Sequence, residues 1–149
     1  MEAEAGVLPM TAEDVEYVAR LERESFSEAW SQNLIQSGLD SRLDTYFVYK
    51  SGGWVLGYGV IRILADEGEI QRIAVYPQYR RRGIARELMD AMVSFARMRG
   101  VRAIALEVRE SNEGARRLYG FYGFRQEAVR KGYYRSPAED AVIMWNREI

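Results

Sequence analysis

The sequence predicts a single α/β domain spanning residues 1–149, on a mixed sheet of about seven strands flanked by about four helices. Three observations carry that expectation. The apolar run Glu69–Tyr76 is followed by a helical-period segment, Gly83–Arg99, and then by a second apolar run, Val101–Val108, which is the order of a parallel strand–helix–strand crossover. Two β-rich runs, Thr45–Tyr49 and Trp54–Leu64, flank Ser51-Gly52-Gly53 and read as a hairpin. A length of 149 residues, with 48% hydrophobic and 29% charged residues and no repeat or linker, suits one soluble core.

Ahead of the hairpin, Ala5–Met10 reads as a short edge strand. Thr11 and Asp14 form a capping pair for a helix over about 12–25, with Val15, Val18, Leu21 and Phe26 as its apolar positions. Ser31 suits the N-cap of a second short helix ending near Gly38. Asp66-Glu67-Gly68 turns the chain into the strand Glu69–Tyr76. In the helix that follows, Ile84, Leu88, Met92 and Phe95 recur at helical spacing, and Gly100 supplies a C-cap. Asn112–Tyr122 reads as a shorter helix, and Phe124–Tyr134 and Asp140–Asn146 as two closing strands.

Composition narrows the chemistry. With neither cysteine nor histidine in the chain, disulfides, thiolate or imidazole metal sites, a cysteine acyl-enzyme and a histidine base are all excluded. Acid–base work falls to carboxylates, tyrosines and backbone groups, and no metal is expected. No apolar run approaches a membrane span and no basic-then-apolar segment opens the chain, so the cytoplasm is the expected location. The net charge of −1 hides an asymmetry: residues 1–44 hold ten acids and three arginines, whereas Arg72 to Arg86 contains five arginines and no acid. A pI near 5.7 disfavours nucleic acid and leaves the acidic N-terminal part to meet a cationic partner.

The arginine segment, Gln71 to Met89, places a glycine corner between a strand and a helix. A helix start aims unpaired N–H groups and the positive end of its dipole at one spot, so the corner suits a phosphate-bearing ligand. It contains neither Gly-x-x-x-x-Gly-Lys-Ser/Thr nor Gly-x-Gly-x-x-Gly. Read alone, it fits equally a turn with solvated arginines. Glu107 shares a strand face with Val101, Ala103 and Ala105, opposite Ile104, Leu106 and Val108; it fits a strand-end glutamate reaching water or a carboxylate with space around it. Tyr119 fits a packing aromatic beside Phe121, Tyr122 and Phe124.

Arg80-x-x-Gly83-x-Ala85, the Ile73-Ala74-Val75 strand, Leu106-Glu107-Val108-Arg109 with Ser111-Asn112, and Leu118-Tyr119 with Tyr122-Gly123-Phe124 together resemble the GCN5-related N-acetyltransferase (GNAT) superfamily. Within it they are most similar to the RimI-like branch, which acetylates the N-terminal alanine of a ribosomal protein; broader archaeal N-terminal acetyltransferases share similar motifs. The resemblance implies a GNAT-like fold and acetyl-CoA as co-substrate. It implies that the backbone of Ile73, Ala74 and Val75 pairs with the pantetheine arm. Arg81, Arg82, Gly83, Ile84, Ala85 and Arg86 would wrap the pyrophosphate, and Asn112 would contact the cofactor or only cap its helix. It implies Glu107 as general base, Tyr119 as the acid that protonates the leaving thiolate, and direct transfer in a ternary complex to a protein or peptide N-terminus. Trp30, Tyr133 and Tyr134 are expected as cleft walls, and Glu28 as an anion for a basic peptide. RimI-like chains carry Phe-Pro-Trp-Ser where this one reads Phe26-Ser27-Glu28-Ala29-Trp30-Ser31. The alternatives are a small-molecule amine as acceptor, or a CoA-binding module without turnover.

Overall fold

The computed structural model describes residues 5–149. Seven strands form one sheet: β1 (Gly6–Pro9), β2 (Asp44–Ser51), β3 (Trp54–Leu64), β4 (Glu67–Val75), β5 (Ala103–Arg109), β6 (Arg125–Arg135) and β7 (Ala138–Asn146), in the order β1-β2-β3-β4-β5-β7-β6. Four α-helices accompany it among the described residues: α1 (Val15–Ser25), α2 (Gln32–Leu39), α3 (Ile84–Met98) and α4 (Glu113–Phe121). The β4–β5 pair is parallel, through the α3 crossover, and every other pairing is antiparallel. The expected α/β architecture is therefore present.

The helices divide between the faces by strand parity. One face carries α1 and α2, whose Val15, Val18, Leu21 and Ile35 pack on Val48, Tyr58, Val60 and Ala74. The other carries α3 and α4, where Met89, Met92, Val93 and Tyr119 pack on Ile61, Ile70, Ile104, Leu106 and Val108. Two glycines on β3 let α3 lie close: a Cβ at Gly59 would stand 2.8 Å from the Met92 methyl, and one at Gly57 would stand 3.2 Å from Ile84 Cγ2.

Several local expectations shift. Asp14 accepts from Thr11 N–H at 2.9 Å, but the first turn, Ala12–Asp14, is a 3₁₀ helix and the α-helix begins at Val15. Phe26 is not on the helix; it is the extended C-cap residue. The turn before β4 falls earlier, at Ala65-Asp66, with Ala65 at φ 55°, so Glu67 and Gly68 already belong to the strand. The buried stripe of α3 is wider than its i, i+4 spacing suggests: Met89, Val93 and Ala96 are buried, while Phe95 sits half-buried, edge-on to Phe47.

One irregularity shapes the molecule. Val60 pairs with Arg72 and Ile61 with Ile70, so Gln71 is an extra residue, a β-bulge in β4. At the same place β4 and β5 stop pairing: their ladder runs from Glu67–Ala103 to Ile70–Leu106 and no further. Beyond it the two parallel strands part and leave a wedge open in the middle of the sheet.

Candidate active site

The wedge opens into a cleft of about 850 Å³, walled by β4 from Glu69 to Ile73, β5 from Leu106 to Arg109, the α1–α2 loop, Asn112, Tyr119 and the β6–β7 hairpin. Two parallel strands that part expose inward main-chain groups, which must find a partner or water. Tyr76 N–H donates to Leu56 O at 3.1 Å, so strand alternation turns the Ala74 main-chain groups toward β3 and those of Ile73 and Val75 toward the wedge. Of the Ile73-Ala74-Val75 trio, two residues therefore offer main chain to a ligand. The Val75 carbonyl also accepts from Arg80 Nε at 3.3 Å.

Below the wedge, the chain enters α3 through two left-handed residues, Arg81 at φ 65° and Gly83 at φ 81°. Gly83 is the N-cap and its carbonyl takes the first helical bond, from Glu87 N–H at 3.0 Å. Among the described residues, the N–H groups of Arg81, Arg82, Gly83, Ile84, Ala85 and Arg86 donate to no protein acceptor. This concave row of donors, with the α3 dipole behind it, is an anion cradle. The flanking guanidiniums rest on aromatic rings, Arg82 at 5.4 Å from Tyr79 and Arg86 at 4.5 Å from Phe121. Arg72 does not join them. Parity sends it to the opposite sheet face, where it binds Glu22, so four of the five arginines in the basic segment remain at the corner.

Glu107 lies on β5 just past the end of the β4–β5 ladder and faces the cleft, half-buried. Arg130 Nη2 approaches its carboxylate to 3.2 Å. Tyr133 stands at the same carboxylate, whose charge raises the Tyr133 phenol pKa, with burial and a hydrogen bond adding to it. Tyr134 is raised chiefly by burial and then by Glu107, and its ring carries the Arg109 guanidinium at 4.2 Å. Glu69, unremarked in the sequence, sits on the same sheet face as Glu107, one strand over. Enclosure raises its carboxyl pKa and the Glu107 charge raises it further, against Arg62 and Arg130. The one signal for it was alternation: an acid beside the apolar Ile70 in the run Glu69–Tyr76.

Tyr119 projects from α4 into the α3–α4 core, 6% exposed, with Phe124 edge-on at 6.2 Å. Burial, and then Tyr134, push its phenol well above the ordinary tyrosine value. Ser25 Oγ is the one buried side-chain polar atom without a partner among the described residues, so the Tyr119 hydroxyl, which makes no protein hydrogen bond, opens onto the cleft. Asn112 both lines the cleft and caps α4, its Oδ1 accepting from Ala115 N–H at 3.2 Å. Trp30, Glu28, Tyr133 and Tyr134 all line the cleft as well.

A seven-stranded sheet parted between β4 and β5, with an anion cradle at the next helix and a carboxylate and a buried phenol facing the gap, defines an acyltransferase of the N-acetyltransferase class. The acetyltransferase (GNAT) family model matches residues 15–124, and the chain belongs to that family. It is 36% identical over 141 residues to the N-alpha-acetyltransferase RimI of Mycobacterium tuberculosis, covering 91% of this chain and 87% of that one. It is 31% identical over 133 residues to the ribosomal protein bS18-alanine N-acetyltransferase of Escherichia coli, covering 88% and 89%. The crystal structure of Ard1 from Thermoplasma volcanium superposes with a TM-score of 0.90 at 30% identity, over 99% of each chain.

Proposed function

We propose that this protein transfers acetyl from acetyl-CoA to the α-amine of a protein N-terminus, with an N-terminal alanine of a ribosomal protein as acceptor. The parting of β4 and β5 beside Glu107 is the observation that carries the reading. Bound acetyl-CoA supplies an activated thioester. The Arg81–Arg86 corner suits its pyrophosphate, and the wedge-facing main chain of Ile73 and Val75 suits its amide-bearing pantetheine arm, as a strand edge suits a peptide. The Val75 N–H is the donor best placed to polarise the thioester carbonyl.

Glu107 is the base. An α-amine has a pKa of about 7.7–8.0, so a carboxylate acting directly or through one water is sufficient to remove its proton during attack. Tyr119 is the acid. Burial keeps its proton on through the neutral range, and its cleft-facing hydroxyl delivers that proton to sulfur as the C–S bond breaks. The absence of cysteine favours attack by the amine itself in a ternary complex.

The test offers acetyl-CoA with peptides beginning in alanine or serine, and in parallel with polyamines and amino sugars. Acetylation of the peptide α-amine, suppressed when the N-terminus is blocked, is expected. Turnover confined to the small amines, or CoA binding with no product on any amine, overturns the reading.

A further inference from the structure

Glu22 is a fully buried acid on the apolar stripe of α1, and its partners lie far apart in the chain. Arg72 clasps it with both ends of the guanidinium, Nε to Oε2 at 3.1 Å and Nη2 to Oε1 at 2.9 Å. The Tyr58 hydroxyl donates to Oε2. Trp30 N–H, beyond the helix, donates to Oε1 at 2.8 Å. The same Arg72 Nη2 reaches on to Glu28 O at 3.1 Å, and its guanidinium lies 3.9 Å from the Phe26 ring centroid and 4.7 Å from that of Trp30. One arginine, placed beside the β4 bulge, thus gathers the whole segment from Phe26 to Trp30 through charge, main chain and aromatic faces.

This segment is one wall of the cleft, facing the strands β4 and β5. It carries no regular secondary structure, so nothing within it fixes its shape. Near its start it touches the β6–β7 turn, where Ser27 Oγ donates to Ser136 O. We infer that Arg72 is a positioning residue for the acceptor: the Glu22–Arg72 clasp holds the Phe26–Trp30 loop as the wall against which the incoming chain is bound. The inference rests on the acetyl-transfer reading for the acceptor and on geometry alone for the clasp. A guanidinium is required, because an ammonium cannot make the two-ended contact and lie flat between two rings.

The experiment replaces Arg72 by Lys and, separately, Phe26 by Ala, and measures steady-state kinetics alongside amide hydrogen exchange of the intact protein. In Arg72→Lys, exchange of the Phe26–Trp30 amides, Trp30 above all, is expected to accelerate. The acceptor KM should rise about tenfold while the acetyl-CoA KM and kcat stay within about twofold. Phe26→Ala, at a half-buried site, keeps the test open should Arg72→Lys fold poorly; faster loop exchange and a smaller rise in acceptor KM are expected. Unchanged exchange overturns the clasp, and faster exchange with an unmoved acceptor KM overturns its role for the acceptor. If the wild type acetylates no amine, the functional reading fails and the acceptor role fails with it, while exchange still decides whether Arg72 holds the loop.

Discussion

On the α3 side the candidate site is built from main chain: a bulge at Gln71, two strands that stop pairing, and, at the start of α3, a row of N–H groups entered through left-handed Arg81 and Gly83. On the α1–α2 side it is shaped by side chains, with Glu22, Arg72, Phe26 and Trp30 holding an irregular loop. A main-chain site asks of the sequence only a few residues that permit a backbone path. A side-chain site asks for particular partners at distant positions. The first kind suits a ligand that does not change, and the second suits one that differs between enzymes of a single fold.

Tyr119, on α4, belongs to neither wall and acts on the transfer itself. Removing the Tyr119 hydroxyl with Phe leaves the buried ring in place, and kcat is expected to fall by about a hundredfold or more with both KM values nearly unmoved. A matching pH profile sharpens this. Acceptor turnover should rise as the amine loses its proton near pH 8 and should not fall through the ordinary tyrosine range near 10, because Tyr119 titrates above it. A decline near pH 10 that vanishes in Tyr119→Phe would show the phenol to be unshifted.

Gly83→Ala separates the two sides. A left-handed backbone costs a residue with a Cβ about 1–2 kcal/mol, so the cradle should distort and the acetyl-CoA KM should rise about tenfold, with the acceptor KM unchanged. A rise in the acceptor KM alone would reverse the assignment. On activity the effect of Gly59→Ala is smaller still, because its Cβ meets the flexible Met92 methyl at 2.8 Å in the core rather than at the site. A loss of about 1–3 kcal/mol in thermal or denaturant unfolding is expected, and neither KM should move.

The smallest effect concerns acid. Glu139, held by Ser111 and Arg109, and Asp140, held by Gly132 N–H and Lys131, both have carboxyl pKa values below the ordinary range. A lowered folded-state pKa gives stability that is present above the unfolded pKa and is lost as pH falls through the folded one. Amide exchange in the β6–β7 hairpin should therefore quicken, relative to the β2–β3 hairpin, as pH drops below about 4.

This contrast also accounts for how much the sequence disclosed. The crossover from β4 through α3 to β5 and the glycine corner were legible because periodicity, a glycine and a run of arginines are local signals. Glu107 was placed on the correct strand face by parity with Ala103 and Ala105. The bulge at Gln71 carries no local signature, so the parting of the strands could not be read, although alternation alone turns Ala74 away from Ile73 and Val75. Arg72 was counted only as part of the basic run from Arg72 to Arg86, because its partner lies 50 residues away. Two hints were present all the same: Arg72 alternates with the apolar Ile73 and Val75, and Glu22 stands four residues after Val18 on the buried face of α1.

Glu107→Gln tests the account most directly, with CoA binding by calorimetry and acetylation of an alanine-first peptide by mass spectrometry measured on the same preparation. The variant is expected to bind CoA as the wild type does and to acetylate the α-amine at least about a hundredfold more slowly. Wild-type acetylation by Glu107→Gln would remove the carboxylate from the reaction and contradict the account.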